Sequence, residues 1–173
     1  EMRGKGADLV VALSHGGLDT SAYSPKMENQ SYHLSTTGID ALLIGHSHLI
    51  FPKGKETGAA ALDPSFAAIP ASAKVDAVNG FVNGVPTVMA QSWGRRLGIV
   101  KMTLAYQGGK WTVQPAQTTV ESRGYKYKDG TTSVAADPAI AALVSTEHQA
   151  TIAYAKQPLG VATDFEMSSY FAL

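Results

Sequence analysis

The sequence lacks cysteine, which excludes disulfide bonds and thiolate metal sites and fits either an oxidising or a reducing compartment. It also lacks an excess of either charge, because 14 Lys and Arg residues balance 14 Asp and Glu residues. A neutral chain has no electrostatic basis for binding nucleic acid or a membrane surface, so neither is expected as a partner. No apolar run approaches the roughly 20 residues that a membrane-spanning helix needs, and no signal peptide is visible.

Both ends of the chain are unusual for a complete protein. Residues 1–7 look like the end of a helix whose beginning is missing, and residues 168–173 finish on an apolar run without a polar tail. We therefore expect a fragment, in which the absence of a signal peptide carries no information about localisation. Apolar residues make up 45% of the chain, which is enough for a hydrophobic core.

Two short apolar runs predict buried β-strands of a parallel sheet. The run at 8–14 is rich in Val and Leu, and a second run covers 40–44. Between them, residues 24–34 predict a helix that begins at Ser24-Pro25, with Gly38 closing the segment. The order strand, helix, strand predicts a right-handed crossover and an α/β fold.

The rest of the chain predicts a long loop, two hairpins and a helix. Residues 52–74 are rich in Ala, Pro and Gly and predict the loop, with room for one short helical turn. The hairpins are centred on Asn83-Gly84 and on residues 107–110. The helix runs from Asp137-Pro138 to about Lys156, and Pro158 ends it.

Three of the five histidines, His15, His46 and His48, come directly after the two predicted strands. Ligands of open α/β sheets bind at the carboxyl ends of the strands, where neighbouring loops converge. Neutral imidazole is a common ligand of zinc and related metals, and nearby glycines allow these loops to turn sharply. The pattern therefore predicts a metal site, although three polar strand-end residues that hydrogen-bond to the backbone would give the same spacing.

A family resemblance favours the metal site. The segment Ala-Leu-Ser-His-Gly-Gly-Leu at 12–18 and the segment Ile-Gly-His-Ser-His at 44–48 resemble the last two motifs of the calcineurin-like metallophosphoesterases. The segments at 91–98 and 169–173 resemble the nucleotidase branch, whose members hydrolyse 2',3'-cyclic nucleotides and 3'-nucleotides. The resemblance implies a sandwich of two sheets with flanking helices, present here only in part, and a nucleotide as the small-molecule substrate.

By this resemblance, His15 and His46 would bind one divalent metal ion and His48 a second one, with Zn, Mn, Co or Mg as the candidates. The family's other motifs are Asp-x-His, a bridging Asp and Gly-Asn-His. None of the eight aspartates is followed two places later by His, and none of the three asparagines is followed by His. No catalytic residue is therefore assigned, and the N-terminal half of the domain is expected as the partner that completes the site.

The resemblance also implies a domain order and a periplasmic location. Residues 1–134 would be the C-terminal half of the metallophosphoesterase domain, 135–157 a linker helix, and 158–173 the start of a nucleotide-binding domain. The fragment alone is expected to be inactive. The alternatives are a 5'-nucleotidase or nucleotide-sugar hydrolase on the same fold, and a non-catalytic metal-binding domain if the chain is complete.

Other polar residues are expected to have structural roles. His33 and His148 lie on predicted helices and are assigned to packing or to solvated faces. Asp19 follows the His15 loop and is interpreted as a turn residue, although a carboxylate there could also bind a metal. Arg95 and Arg96 could contact phosphate, because a guanidinium matches its geometry. The favoured interpretation is that they flank a structural Trp-Gly turn.

Overall fold

A computed structural model describes residues 1–54, 63–125 and 134–160. These residues form ten strands and four α-helices, besides three 3₁₀ helices of three residues each. The elements are β1 (Val11–Ser14), α1 (Ser31–Leu34), β2 (Ala41–Ile44), β3 (Ile50–Phe51), α2 (Pro64–Ala67), β4 (Val75–Asp76), β5 (Phe81–Val82), β6 (Val85–Ala90), β7 (Arg96–Lys101), β8 (Leu104–Gln107), β9 (Lys110–Val113), β10 (Thr119–Gly124), α3 (Pro138–Leu143) and α4 (Ser145–Ala155).

The chain divides into two compact units, Glu1–Val134 and Ala135–Leu173. The first unit contains all the described strands, and the described part of the second contains α3 and α4. The domain roles assigned to 1–134, 135–157 and 158–173 stay predictions, and 161–173 lie outside the described residues. None of the helices in the described ranges has the length and apolar character needed to cross a membrane.

The main sheet has six strands in the order β1-β2-β6-β5-β4, with β3 also paired to β6. β1, β2 and β6 are parallel to one another, as the predicted crossover requires. β5 and β6 form the hairpin predicted at Asn83-Gly84, and both turn residues have positive φ. The mixed α/β class is confirmed.

Two smaller strand pairs accompany the main sheet, β7 with β10 and β8 with β9. Ser122 on β10 donates a hydrogen bond to the carbonyl of Met89 on β6, at 3.4 Å. Gly98 on β7 faces Val88 so closely that a Cβ there would lie 2.9 Å from its Cγ2. The β7–β10 pair therefore packs against β6, which gives the two-layer arrangement expected for a sandwich.

The hydrophobic core is built mainly from side chains of β2, β3, β5, β6 and α2. Leu42, Phe51 and Met89 are fully buried, and Phe66 on α2 contacts Phe51 edge to face. At the opposite end of the sheet, Arg3 forms an ion pair with Asp40 at 2.6 Å. The ion pair thereby anchors the residue before β2, and the loop after β2 contacts the core through the hydrogen bond from Ser47 to Met89.

Two predicted helices differ from the structure. The predicted helix at 24–34 is only α1, because residues before it are held in a loop against the His15 segment. The helix predicted from Asp137 begins as expected, with the Asp137 side chain accepting from the Ala139 and Ile140 amides. It is interrupted at Val144, where ψ is 1°. No glycine or proline marks this interruption in the sequence.

Candidate metal centre

Three loops meet at one edge of the main sheet because their strands are parallel and in register. Ser14 of β1 is aligned with Ile44 of β2, and Ile44 is aligned with Met89 of β6. The loops 15–17, 45–48 and 91–95 therefore leave the sheet side by side. The first two carry the three predicted histidines, as the strand pattern indicated.

His15 and His46 lie next to each other across the first two loops. Their ring centroids are 5.3 Å apart and the rings are inclined by 69°. The Gly45 amide donates to the Gly16 carbonyl at 3.4 Å, which ties the two loops together. Two imidazoles bound to one tetrahedral ion at about 2.1 Å place their ring centres roughly 5 Å apart. The spacing and donor chemistry of this pair therefore fit a divalent metal ion.

His48 follows His46 by two residues on the same loop. Its side chain is exposed, and its ring centroid is 6.1 Å from that of Trp93. Among the described residues, no group of three or more His, Cys, Asp or Glu side chains is arranged to hold a metal ion. The structure thus brings His15 and His46 together and places His48 beside Trp93, and the three-histidine ligand set stays a prediction.

The loop that carries His46 and His48 has an unusual backbone. Both residues adopt positive φ, 67° and 57°, in the left-handed region that non-glycine residues rarely occupy. Ser47 between them donates to the sulfur of Met89, which lies in the core. Strained backbone of this kind concentrates at ligand-binding sites, where the surrounding structure fixes the direction of the side chains.

Glu28 is a contact of the site that sequence patterns did not indicate. Its carboxylate lies 2.8 Å from Nε2 of His46. The sequence placed Glu28 on a helix, and no motif linked it to the histidines. The loop that carries it is fixed by Asn29, whose side-chain oxygen accepts from the Gly17 amide at 2.8 Å.

The third loop presents an aromatic and a cationic side chain beside His48. Trp93 has positive φ and is 78% exposed. The Arg95 guanidinium lies over its ring at 4.4 Å. Arg96, by contrast, hydrogen-bonds to the side chain and backbone of Ser122 in the neighbouring strand. Arg96 therefore has a structural role, whereas Arg95 lies exposed at the edge where the loops meet.

The residues to which the sequence analysis gave structural roles, His33, Asp19 and His148, are not part of the His15–His46 pair. His33 packs edge to face against Tyr23 and Tyr32, with Nε2 3.1 Å from the Ser21 carbonyl oxygen. Hydrogen bonds from Ser21 hold the pKa of the Asp19 carboxyl below its usual value, as in an ordinary turn. His148 is exposed on α4, in the other compact unit.

Comparison with known proteins gives consistent results for sequence and fold. No protein-family model matches the chain. The chain is 38% identical to a 2',3'-cyclic-nucleotide 2'-phosphodiesterase/3'-nucleotidase of Salmonella typhimurium and 37% identical to one of Haemophilus influenzae, with 100% of the chain covered in both cases. It is 31% identical to the trifunctional nucleotide phosphoesterase protein YfkN of Bacillus subtilis, over 99% of its length.

A solved structure supports the same relationship. The calcineurin-like phosphoesterase YfkN from Bacillus subtilis matches with a TM-score of 0.70 and 30% identity, over 90% of this chain and 42% of that one. The predicted resemblance is therefore confirmed: along its length the chain is similar in sequence and fold to a segment of proteins named as phosphoesterases. The chain spans about a quarter of the Salmonella and Haemophilus relatives and a tenth of the Bacillus relative.

Proposed function

Since the chain is similar along its whole length to one segment of nucleotide phosphoesterases, we propose that it forms part of a longer protein that hydrolyses phosphate esters of nucleotides with two divalent metal ions. The substrates proposed are 2',3'-cyclic nucleotides and 3'-nucleotides, which the names of the Salmonella and Haemophilus relatives support. A periplasmic location is part of the proposal and rests on the family resemblance alone.

The observation that carries the proposal is the placement of His15 and His46. Two imidazoles 5.3 Å apart at the carboxyl edge of a parallel sheet are suited to one metal ion. His48 follows two residues later and faces the side of Trp93, where it is available to a second ion. These are the positions at which the sequence resembles the family's metal-binding motifs.

Divalent ions held at this edge would polarise the phosphate ester and lower the pKa of water. The histidines of this chain would contribute neutral imidazole nitrogens as ligands, on a loop whose backbone fixes the direction of their side chains. The left-handed backbone at His46 and His48 and the hydrogen bond from Ser47 to Met89 hold the loop in place. Three imidazoles supply no negative charge against two divalent ions, so we propose that another segment of the longer protein supplies the bridging carboxylate.

Metal binding and hydrolysis test the proposal together. Crystals soaked in Mn²⁺ or Zn²⁺ should show anomalous density at His15 and His46, and the longer protein should hydrolyse 3'-AMP. Replacing His46 by Ala should lower that activity at least about 100-fold, whereas His33→Ala should leave it unchanged because His33 packs against two tyrosines. Density only at His33 or His148 would overturn the assignment.

Substrate comparison separates the proposed activity from its alternatives. Faster hydrolysis of 5'-AMP or of a nucleotide sugar than of 3'-AMP would favour the 5'-nucleotidase or nucleotide-sugar hydrolase. Metal binding without turnover of any of these substrates by the longer protein would indicate a non-catalytic metal-binding domain.

A further inference from the structure

The contact between Glu28 and His46 joins two segments that are 18 residues apart in the chain. Oε1 of Glu28 lies 2.8 Å from Nε2 of His46. Glu28 is 72% exposed and His46 is 36% exposed. Ion pairs this exposed contribute little to stability, so the pair has no strong role in holding the fold.

The segment that carries Glu28 is nevertheless held firmly against the His15 loop. Asn29 accepts from the Gly17 amide through its side chain and from the Asp19 amide through its backbone. The buried Ser31 donates to the carbonyls of Gly16 and Gly17, through its hydroxyl and its amide. Glu28 is thus held on a rigid extension of the His15 loop and reaches across to the neighbouring loop.

The chemistry of the two groups determines which ring nitrogen of His46 carries the proton. An ionised carboxylate can only accept hydrogen bonds, so Nε2 of His46 must be the donor. In a neutral imidazole the other nitrogen, Nδ1, then carries the free lone pair. Histidines that bind metals usually donate their second N–H to a carboxylate or carbonyl, which sets the tautomer and the ring direction.

We propose that Glu28 is a positioning residue that holds His46 in the Nε2–H tautomer and thereby directs its Nδ1 to a divalent metal ion. The proposal rests on the metal site of the proposed function and adds to it a carboxylate from outside the histidine motifs. It also determines which nitrogen of His46 binds. Glu28 acts through His46, so its effect appears in metal affinity and in the state of the ring.

Nitrogen NMR of the selectively labelled His46 ring and calorimetric Zn²⁺ titration, both carried out on the longer protein, test the proposal. On addition of Zn²⁺, the Nδ1 resonance of His46 should move while Nε2 keeps its proton. Glu28→Ala should weaken Zn²⁺ binding about 10- to 100-fold, the usual effect of removing such a carboxylate. Glu28→Gln keeps an acceptor oxygen and should retain most of the affinity.

Glu1→Gln is the matched control, because Glu1 is an exposed carboxylate paired with Lys5. It should leave Zn²⁺ affinity unchanged, and an unchanged Gly17 amide signal in each variant should show that the loop remains folded. Zn²⁺ bound through Nε2 of His46, or a Glu28→Ala affinity within twofold of the unaltered longer protein, would overturn this proposal and leave the metal site standing. No movement of the His15 or His46 resonances of the longer protein at millimolar Zn²⁺ would overturn the metal site as well.

Discussion

Arg95 and Arg96 are neighbours in sequence and occupy different environments. Arg95 is exposed and stacks on Trp93, whereas Arg96 donates to Ser122, which is fully buried. A hydrogen bond made by a charged group to a buried partner is worth more than an exposed cation–π contact. The two side chains therefore form a matched pair for separating structural from surface roles.

We expect Arg96→Ala to lower the free energy of unfolding by about 1–3 kcal/mol, because it removes the partner of buried polar groups. Arg95→Ala should change it by less than about 1 kcal/mol, because the contact it removes is exposed. Urea unfolding of both variants measures the difference. Equal losses would contradict the assignment of a structural role to Arg96 alone.

The sequence predicts the histidines better than it predicts their surroundings. His15, His46 and His48 follow apolar runs, and the ends of parallel strands always share one edge of a sheet. Glu28 could not be found in the same way. Its contact with His46 depends on the path of a loop that hydrogen bonds from Gly17 and Asp19 to Asn29 determine. Long-range contacts of this kind leave no periodic signal in the sequence.

At the scale of elements, sequence patterns predicted the structure correctly where the backbone hydrogen bonds form within a turn, a cap or a pair of strands. The Asn83-Gly84 turn, the parallel strands and the Asp137 cap are formed as predicted. The helix predicted over 24–34 is wrong in its first part, because the Asn29 backbone carbonyl accepts from Asp19. Tertiary hydrogen bonds there replace the helical ones that Ser24-Pro25 favours.

Gly17 lies where the His15 loop approaches both the segment before α1 and the loop after β2. A Cβ at this position would lie 2.7 Å from Oδ1 of Asn29 and 2.8 Å from Oγ of Ser47. Neither atom can move away at no cost, because Asn29 accepts from the Gly17 amide and Ser47 donates to Met89. The close approach of the His15 loop to the His46 loop therefore requires glycine.

Gly17→Ala should lower the free energy of unfolding by about 1–3 kcal/mol, the usual cost of overpacking. It should also weaken Zn²⁺ binding, because His15 and His46 are moved apart. Calorimetry and urea unfolding measure the two effects. Gly4→Ala is the control, since a Cβ there meets nothing within 4 Å. A Gly17→Ala variant with unchanged Zn²⁺ affinity would show that the loop spacing does not set the site.

At the scale of the whole molecule, β1 is the edge strand of the main sheet among the described residues. Its Leu13 is 80% exposed and its Val11 46% exposed, although both were predicted to be buried on a covered face. The chain also spans only a quarter of its Salmonella relative. Both observations support the inference that another segment of the longer protein covers this strand and completes the metal site.

The last prediction follows from this inference: the chain of 173 residues alone should be at least about 100-fold slower than the longer protein. In the proposed site, His15 and His46 would give one ion two neutral ligands, and His48 would give a second ion one. Ions held so weakly stay largely hydrated and cannot lower the pKa of water to about 7. An acid–base group supplied by another segment would account for a further factor of roughly 10²–10⁴.

Hydrolysis of bis-p-nitrophenyl phosphate and 3'-AMP, with Mn²⁺, Co²⁺ or Zn²⁺ added, should be measured for both proteins side by side. The chain should show no turnover above that of the metal salts, and the longer protein should lose its activity on His46→Ala. A rate for the chain within tenfold of the longer protein, abolished by the same substitution, would mean that these residues encode a complete site. The exposed face of β1 would then need another explanation, because no further segment would be required for catalysis.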